Sequence, residues 1–449
     1  MRTLSKITLT AAAVLLWSCS VYKEYERPEN IVPDNLYNFT SGSPAPDSLC
    51  WRDFFTDPLL QNLIEEGLEN NTDLQNAAQK VIEARSSLRA SGLAYLPNLG
   101  FSPTFKLEKA ESGSEASFGW NVPGVHASWE IDLSGRLFNN RRISRAALEE
   151  ALAAEQTVRT ELVAAIAESY YNLEMLDAQL AVSRTTAKSW KENVRIMKSM
   201  KDAGMTNAAS VSQTEANSCS IDASLFDLEY RINKAENELA MLLGVPYRKF
   251  ERGDLKSASL SRELSAGVPM DLLAHRPDVR AAEAALRKAG YNTALAHSAF
   301  YPSLTLTGDY GWQKALANPA QWILGAAAGL TAPVFNGGRN RAALKSAQAR
   351  ETQALNNFRQ AILNAGGEVN DAVAKCRAAE GKKDLRENQI DALEQAVEST
   401  QALMRHSEST YLEVLTAQQS LLSAKLLQIS DSFDNIQGII SLYRALGGE

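Results

Sequence analysis

Stepping by seven from Leu355 places Leu355, Ile362, Val369, Cys376, Lys383, Ile390, Val397 and Met404 on one line. Phe358, Ala365, Ala372, Ala379, Arg386, Leu393 and Thr400 form the companion line. Together they read as a coiled-coil seam, interrupted by one polar turn at Lys383 and Arg386. The C-terminal run repeats the pattern through two sets: Leu412, Gln419, Leu426, Phe433 and Ile440, with Leu415, Leu422, Ile429, Ile436 and Tyr443. A seven-residue period implies left-handed supercoiling against neighbouring helices. All 14 prolines lie outside 124–245 and 334–449, which matters because an interior proline costs a helix about 3 kcal/mol. From Gly135 to Gly204 is 69 residues, roughly 100 Å if wholly helical. Helices alone would also fit a plain coiled-coil rod.

Two other stretches change period. In 300–312 Leu304, Leu306, Tyr310 and Trp312 fall on one side, and Ser303, Thr305, Thr307 and Asp309 on the other. Leu99, Phe101, Phe105 and Leu107 alternate in the same way with Asn98, Ser102, Thr104 and Lys106. A further strand carries Phe118, Trp120 and Val122, then Val125, Ala127, Trp129 and Ile131; a fourth, weaker one runs from Trp322 to Val334. Strands of about ten residues with aromatics near the ends suit a transmembrane β-barrel. Backbone groups facing lipid must all be paired, so such a sheet has to close. Four strands are too few, because the smallest barrels use about eight, so the membrane reading requires several chains. Three chains would supply twelve strands. The competing reading is a soluble hairpin domain.

The chain also repeats itself. Leu96-Pro97-Asn98-Leu99 returns as Tyr301-Pro302-Ser303-Leu304, an offset of 302 − 97 = 205. Asn71-Thr72-Asp73 returns as Arg276-Pro277-Asp278 at the same offset. Gly135-Arg136 returns as Gly338-Arg339 and Leu243-Gly244 as Leu446-Gly447, both at 203. Four ordered matches indicate a duplicated unit of about 200 residues. Each unit reads as a helix (Leu59 to Tyr95; Met270 to Ala299), two strands, a very long helix, a break and a last helix. The division is a leader over 1–18, an extended segment over 19–58, and repeats over 59–250 and 251–449.

Composition narrows the function. Arg2 and Lys6 precede the apolar stretch Ile7 to Trp17, the layout of an export signal. Leu16-Trp17-Ser18-Cys19 resembles a bacterial lipobox, which would leave Cys19 as an acylated (palmitate-bearing) first residue; the alternative is an ordinary signal cut nearby. Net charge is −7, or about −9 without 1–18, with no basic block, which gives no support for nucleic-acid binding. The odd number of remaining cysteines (Cys50, Cys219 and Cys376) does not suggest a disulfide framework. Cys219 and Cys376 lie in helical runs and read as small packing residues. His126, His275, His297 and His406 have no metal-ligand spacing, and Gly337-Gly338 lacks a P-loop around it. No cofactor, metal or catalysis is expected.

The residues resemble the TolC-like outer membrane factor family, in its lipoprotein branch associated with RND-type tripartite efflux. The pieces that carry this are Cys19 with Tyr25-Glu26-Arg27-Pro28; Trp51-Arg52-Asp53-Phe54-Phe55-Thr56-Asp57-Pro58; and His275-Arg276-Pro277-Asp278 with Ala282-Glu283. Phe300 to Leu304, Pro333 to Arg339, Tyr411 to Leu415 and Leu442 to Gly448 complete the set. The resemblance implies a mainly α chain forming a homotrimer: a twelve-stranded transmembrane β-barrel above a long coiled-coil helical barrel. It implies a passive duct in outer membrane lipid, joined by a periplasmic adaptor protein to an inner-membrane efflux pump. Phe101, Phe105, Trp120, Leu304, Leu306, Tyr310 and Trp312 would then mark the membrane strands. Gly204, Met205 and Thr206, with Ser407 and Glu408, would form the adaptor-contacting tip. Leu412, Glu413 and Thr416 match gate-lining positions. Many members carry Asp at the last of these; Thr416 does not, which leaves Glu413 as the acidic candidate. A lipid-anchored periplasmic scaffold or adaptor, and a protein-secretion duct of the same architecture, are the alternatives.

Overall fold

A computed structural model of the chain describes residues 50–101, 104–108, 117–255, 276–314, 321–405 and 411–448. In order the elements are α1 (Trp51–Phe54), α2 (Pro58–Asn70), α3 (Thr72–Leu93), β1 (Asn98–Gly100), β2 (Thr104–Glu108), β3 (Ser117–Ile131), α4 (Arg136–Asp202) and α5 (Ala208–Leu243). They continue as α6 (Pro277–Ser298), β4 (Ser303–Lys314), β5 (Gln321–Thr331), α7 (Arg339–Arg405) and α8 (Tyr411–Ala445). Among the described residues the chain forms two compact units, each drawing on both halves: one within 79–152 and 280–360, the other within 50–78, 153–279 and 361–448. No helix among the described residues is long and apolar enough to cross a membrane.

The internal repeat is carried into the elements. Helices α3 and α6 are both 22 residues, starting 205 apart, and α4 and α7 are both 67 residues, starting 203 apart. Single contacts repeat as well. Asn71 Nδ2 donates to the Leu242 carbonyl at 2.9 Å, and Arg276 Nη1 donates to the Ala445 carbonyl at 2.8 Å. Each clasp ties the start of a helix to the end of the last helix of its half. Beside each clasp a glycine with positive φ ends that last helix, Gly244 at 68° and Gly447 at 74°. The following amides, Val245 and Gly448, bond back to Ala240 and Tyr443 and satisfy otherwise orphaned carbonyls. A Cβ on Gly447 would stand 3.2 Å from the Arg276 Cα, so the clasp also needs the missing side chain.

In the second unit the long helices form two antiparallel hairpins. Helices α4 and α5 are joined by Arg184–Glu229, Lys191–Asp222 and Lys198–Glu215, at 2.8, 3.0 and 2.8 Å. Successive rungs lie seven residues apart on both helices, which is the coiled-coil period. Helices α7 and α8 pair through Glu394–Lys425 at 2.6 Å and through Asp431, which takes both Lys382 and Arg386 at 3.0 Å. Asp431 answers the polar interruption in the α7 seam. Burial pushes its pKa up, but the hydrogen bonds from Lys382 and Arg386 outweigh that and hold it below the usual range. Helix α4 then lies against α8, with Gln179–Ser430 at 3.2 Å and Asn193–Gln418 at 2.8 Å. The order across the unit is α5, α4, α8, α7. Ile166, Tyr170, Leu173 and Leu176 of α4 share the main hydrophobic cluster with Ile436, Ile440 and Tyr443 of α8 and with Phe54, Phe55, Leu60 and Ile64.

Several expectations are corrected. The run from Leu59 to Tyr95 is two helices, broken at Asn71, whose side-chain oxygen caps the second by accepting from Leu74 N at 3.0 Å. The seam holds at Phe358, Ile362, Ala365, Val369 and Ala372, all buried, but Leu412 and Gln419 of α8 are exposed. Cys219 is exposed, while Cys376 is half-buried. The fourth strand stops at Thr331, since Pro333 follows and Val334 and Phe335 are exposed. His275, His406 and the calls on the first 49 residues lie outside the described residues.

Arg276 is 5% exposed and also bonds Asp278 and Glu368, at 2.7 and 2.8 Å. Replacing it with Met strands these carboxylates and an acceptor carbonyl, and the expected loss is about 2–4 kcal/mol. Thermal unfolding of the purified variant checks this; an unchanged midpoint would contradict the clasp.

Candidate functional site

The first candidate region is the sheet. Its order is β1–β3–β4–β5, with β2 also on β3, and every pairing is antiparallel. Strands β1 and β2 share the same edge of β3, so the sheet is effectively four strands wide. Register slips by one between Pro123 and Val125. A bulge there accommodates a proline that cannot donate to the ladder. It also explains why the apolar positions of β3 change phase between Val122 and Val125.

The register assembles one apolar face. Leu304 stands between Ile131 and Leu330, Leu306 between Trp129 and Ala328, Tyr310 between Val125 and Leu324, and Trp312 between Val122 and Trp322. Leu99 lies opposite Ala127, and Phe105 opposite Trp120. Leu99, Phe101, Val125, Trp129, Tyr310, Trp322, Leu324 and Leu330 are all exposed. Aromatics mark both ends of this face. Tyr310 stacks on Trp322 and Trp312 meets it edge-on, with centroids 5.3 and 5.1 Å apart. Trp129 sits at the other end and donates its indole N–H to the Tyr95 carbonyl at 2.9 Å. Leu306 (the partner of Trp129) and Trp312 are six residues apart on β4, about 20 Å of strand. An apolar band bounded by aromatic girdles is the signature of a membrane strand. The opposite face is polar: Glu130 opposes Thr305, Ser128 opposes Thr307, and His126 Nδ1 meets Asp309 Oδ1 at 2.6 Å.

The second region is the α4–α5 turn and the start of α8. Helix α4 ends at Gly204 (φ 74°), with Gly204 N bonded to Lys201 O and Met205 N to Met200 O. Asn207 then caps α5 by accepting from Ser210 N at 2.9 Å. This is a tight, twice-capped reversal that leaves Gly204 and Met205 exposed and Thr206 half-exposed. Ser407 and Glu408 lie outside the described residues. On α8, Val414 and Leu415 are buried, while Leu412, Glu413 and Thr416 share the exposed side. Leu412 is 65% exposed, and the Thr416 hydroxyl donates to its carbonyl at 2.8 Å.

A third feature escaped the sequence reading. Glu174 of α4 is 3% exposed, and its Oε2 has no hydrogen-bond partner among the described residues. Beside it Tyr170 donates its hydroxyl to Asp57 Oδ2 at 2.6 Å, and Gly253 N donates to the same hydroxyl at 3.1 Å. Desolvation, with Asp57 and Asp254 nearby, pushes the Glu174 pKa up to about 7. Burial and the bond to Asp57 raise the Tyr170 hydroxyl too. These groups are separated by up to 196 positions (Asp57 to Gly253), so no local motif announces them.

Among the described residues no group of three or more His, Cys, Asp or Glu side chains could hold a metal ion. The periplasmic scaffold does not account for the amphipathic sheet.

Comparison with known proteins agrees. The model of the outer membrane efflux protein family matches residues 63–245 and 268–448. The chain is 30% identical to the cation efflux system protein CusC of Escherichia coli O6:H1, over 99% of this chain and 98% of that one. It is 28% identical to the probable outer membrane lipoprotein SilC of Salmonella typhimurium, over 99% and 98%. A crystal structure of CusC, described in terms of transmembrane channel formation, superposes with a TM-score of 0.86 at 29% identity, covering 96% of this chain and all of that one.

Because Glu174 is raised when folded, the folded state holds its proton longer than the unfolded chain does. Its contribution to stability is therefore full below pH ~4.5 and is lost as the pH rises to about 7. Glu174→Gln removes this loss. The variant is expected to match the wild type near pH 4.5 and to exceed it by about 2 kcal/mol at pH 8. Parallel unfolding profiles for the two proteins between pH 4.5 and 8 would contradict the assignment. With its sheet, its duplicated helical hairpins and both matched halves, the chain belongs to the outer membrane efflux protein family.

Proposed function

We propose that the protein is the outer membrane exit duct of a tripartite efflux system, a passive homotrimer served by a periplasmic adaptor and an inner-membrane pump. One observation carries the reading. A four-stranded sheet presents an exposed apolar face bounded by aromatics, and among the described residues its two outer edges, at β1/β2 and β5, are unpaired. In lipid those edges must be satisfied, and further copies of the same sheet can do so. Three copies give twelve strands, within the range of known barrels. The names of the relatives, which span cation efflux and outer membrane lipoproteins, point the same way.

In this reading the duplicated halves, 59–250 and 251–449, supply one long hairpin each to the helical wall. Cys19 carries the lipid. The reversal at Gly204, Met205 and Thr206 is one adaptor contact, with Ser407 and Glu408 at the equivalent place in the second half. Leu412, Glu413 and Thr416 line the constriction. Three copies of Leu412 would close it as an apolar ring, and three Glu413 carboxylates would favour cations over anions.

Conductance of the purified oligomer in a planar lipid bilayer tests both parts. The wild type is expected to give a small, cation-selective conductance that rises several-fold in Leu412→Ala. An unchanged conductance in that variant would remove Leu412 from the constriction. An assembled protein that never conducts would overturn the duct.

A further inference from the structure

Glu174 is 3% exposed, yet two exposed residues, Gly253 and Asp254, are what stands over it. The Gly253 backbone closes on three oxygens at once. A Cβ there would stand 3.1 Å from Glu174 Oε1 and 3.7 Å from both Asp57 Oδ2 and the Tyr170 hydroxyl. Gly253 is not among the glycines with positive φ, so this position needs glycine for space rather than for conformation. Its amide fastens the segment to α4 by donating to the Tyr170 hydroxyl at 3.1 Å, and that hydroxyl donates in turn to Asp57.

On either side the segment is held more firmly. Phe250 and Leu255 belong to the main hydrophobic cluster, and Arg252 pairs with Asp177 of α4 and Glu236 of α5. Asp57 keeps its own place, because its other oxygen accepts from Leu59 N at 2.8 Å at the start of α2. Movement is therefore confined to Gly253 and Asp254, between two anchored neighbours. The groups around Glu174 decide what drives it. Asp57 acts on it from the segment before α2, Tyr170 and Tyr171 from α4, and Asp254 from the segment above. Glu236 of α5 and Asp177 occupy Arg252, and among the described residues no cation is paired with Glu174. With its proton the carboxyl adds no charge beside Asp57 and Asp254. Without it, an unpaired carboxylate is buried among like charges, and admitting water removes that penalty.

We propose that Gly253–Asp254 is a proton-operated flap, closed on α4 while the Glu174 carboxyl is neutral and lifted to admit water when that carboxyl loses its proton. The flap lies on the segment between the two halves of the chain, so the proton acts there and not on the surrounding helices. Burial raises Glu174 from 4.5 to about 7 while the flap is closed, and opening returns it to water. The closed state is therefore favoured fully below pH ~4.5 and loses that advantage as the pH rises to about 7. Over that window the opening equilibrium climbs about tenfold per pH unit, about 300-fold in all, and it is level above it.

Amide hydrogen exchange of the full-length protein in detergent tests this, with rates corrected for the intrinsic effect of pH. Protection of the peptide carrying the Gly253 amide should fall about 300-fold between pH 4.5 and 8 in the wild type. In Glu174→Gln it should stay constant over the same range. A control peptide around the buried Ile362, Val369 and Ala372 of α7 should keep its protection in both proteins. Equal losses in the two peptides would mean that ionisation opens the whole molecule, and would overturn the flap. Protection at Gly253 that does not change with pH, or that changes equally in Glu174→Gln, would overturn it as well.

Discussion

A strand in hydrocarbon has no water to satisfy its edge, and the rest of this molecule follows from that constraint. Each chain contributes a sheet with one apolar face and, among the described residues, two open edges. No single chain can close such a sheet, so the membrane part exists only as an assembly. Assembly in turn requires a scaffold that returns to the same geometry around an axis, and the duplicated helices supply one. The chain places two nearly equivalent hairpins side by side.

The polar interior supports this arrangement. Arg276 and Asn71 occupy equivalent places and bond equivalent carbonyls, although one is a buried cation and the other a neutral amide. Conserving the clasp while changing its chemistry lets the two halves differ, which a trimer built from six hairpins can use to keep them distinct. The heptad-spaced ion pairs of α4 and α5 are mostly exposed, so each adds at most about 1 kcal/mol. Their regular spacing fixes register more than it adds stability. Glu174 is the exception, a buried carboxyl with one oxygen unpartnered among the described residues, held among Asp57, Tyr170 and the backbone at Gly253.

Much of this was legible in the sequence, for physical reasons. The seam of α7 could be read because a seven-residue period writes burial directly into spacing, and Phe358, Ile362, Ala365, Val369 and Ala372 are buried as the period requires. The strands could be read because alternation at period two survives even the bulge at Pro123, which appears only as a change of phase. Other features had no local signature. Lys383 and Arg386 looked like a gap in the seam until Asp431 was found opposite Arg386 and Lys382, on another helix. Gln419 fits a heptad and is nonetheless exposed, as a polar residue at a seam position can be. Asn71 is both a break and a cap, a role set by its side-chain bonds to Leu74 and Leu242 rather than by helix propensity. The Glu174 cluster joins three distant segments, so only the fold assembles it.

The central claim is that the sheet crosses the membrane with its Leu304–Leu306–Tyr310–Trp312 face in lipid. Nitroxide labels placed singly at 304, 305, 306 and 307 in the reconstituted protein test it most directly. Labels at 304 and 306 should collide with dissolved oxygen, and those at 305 and 307 with a water-soluble relaxation agent. Uniform aqueous accessibility at all four positions would contradict the membrane sheet, and with it the duct.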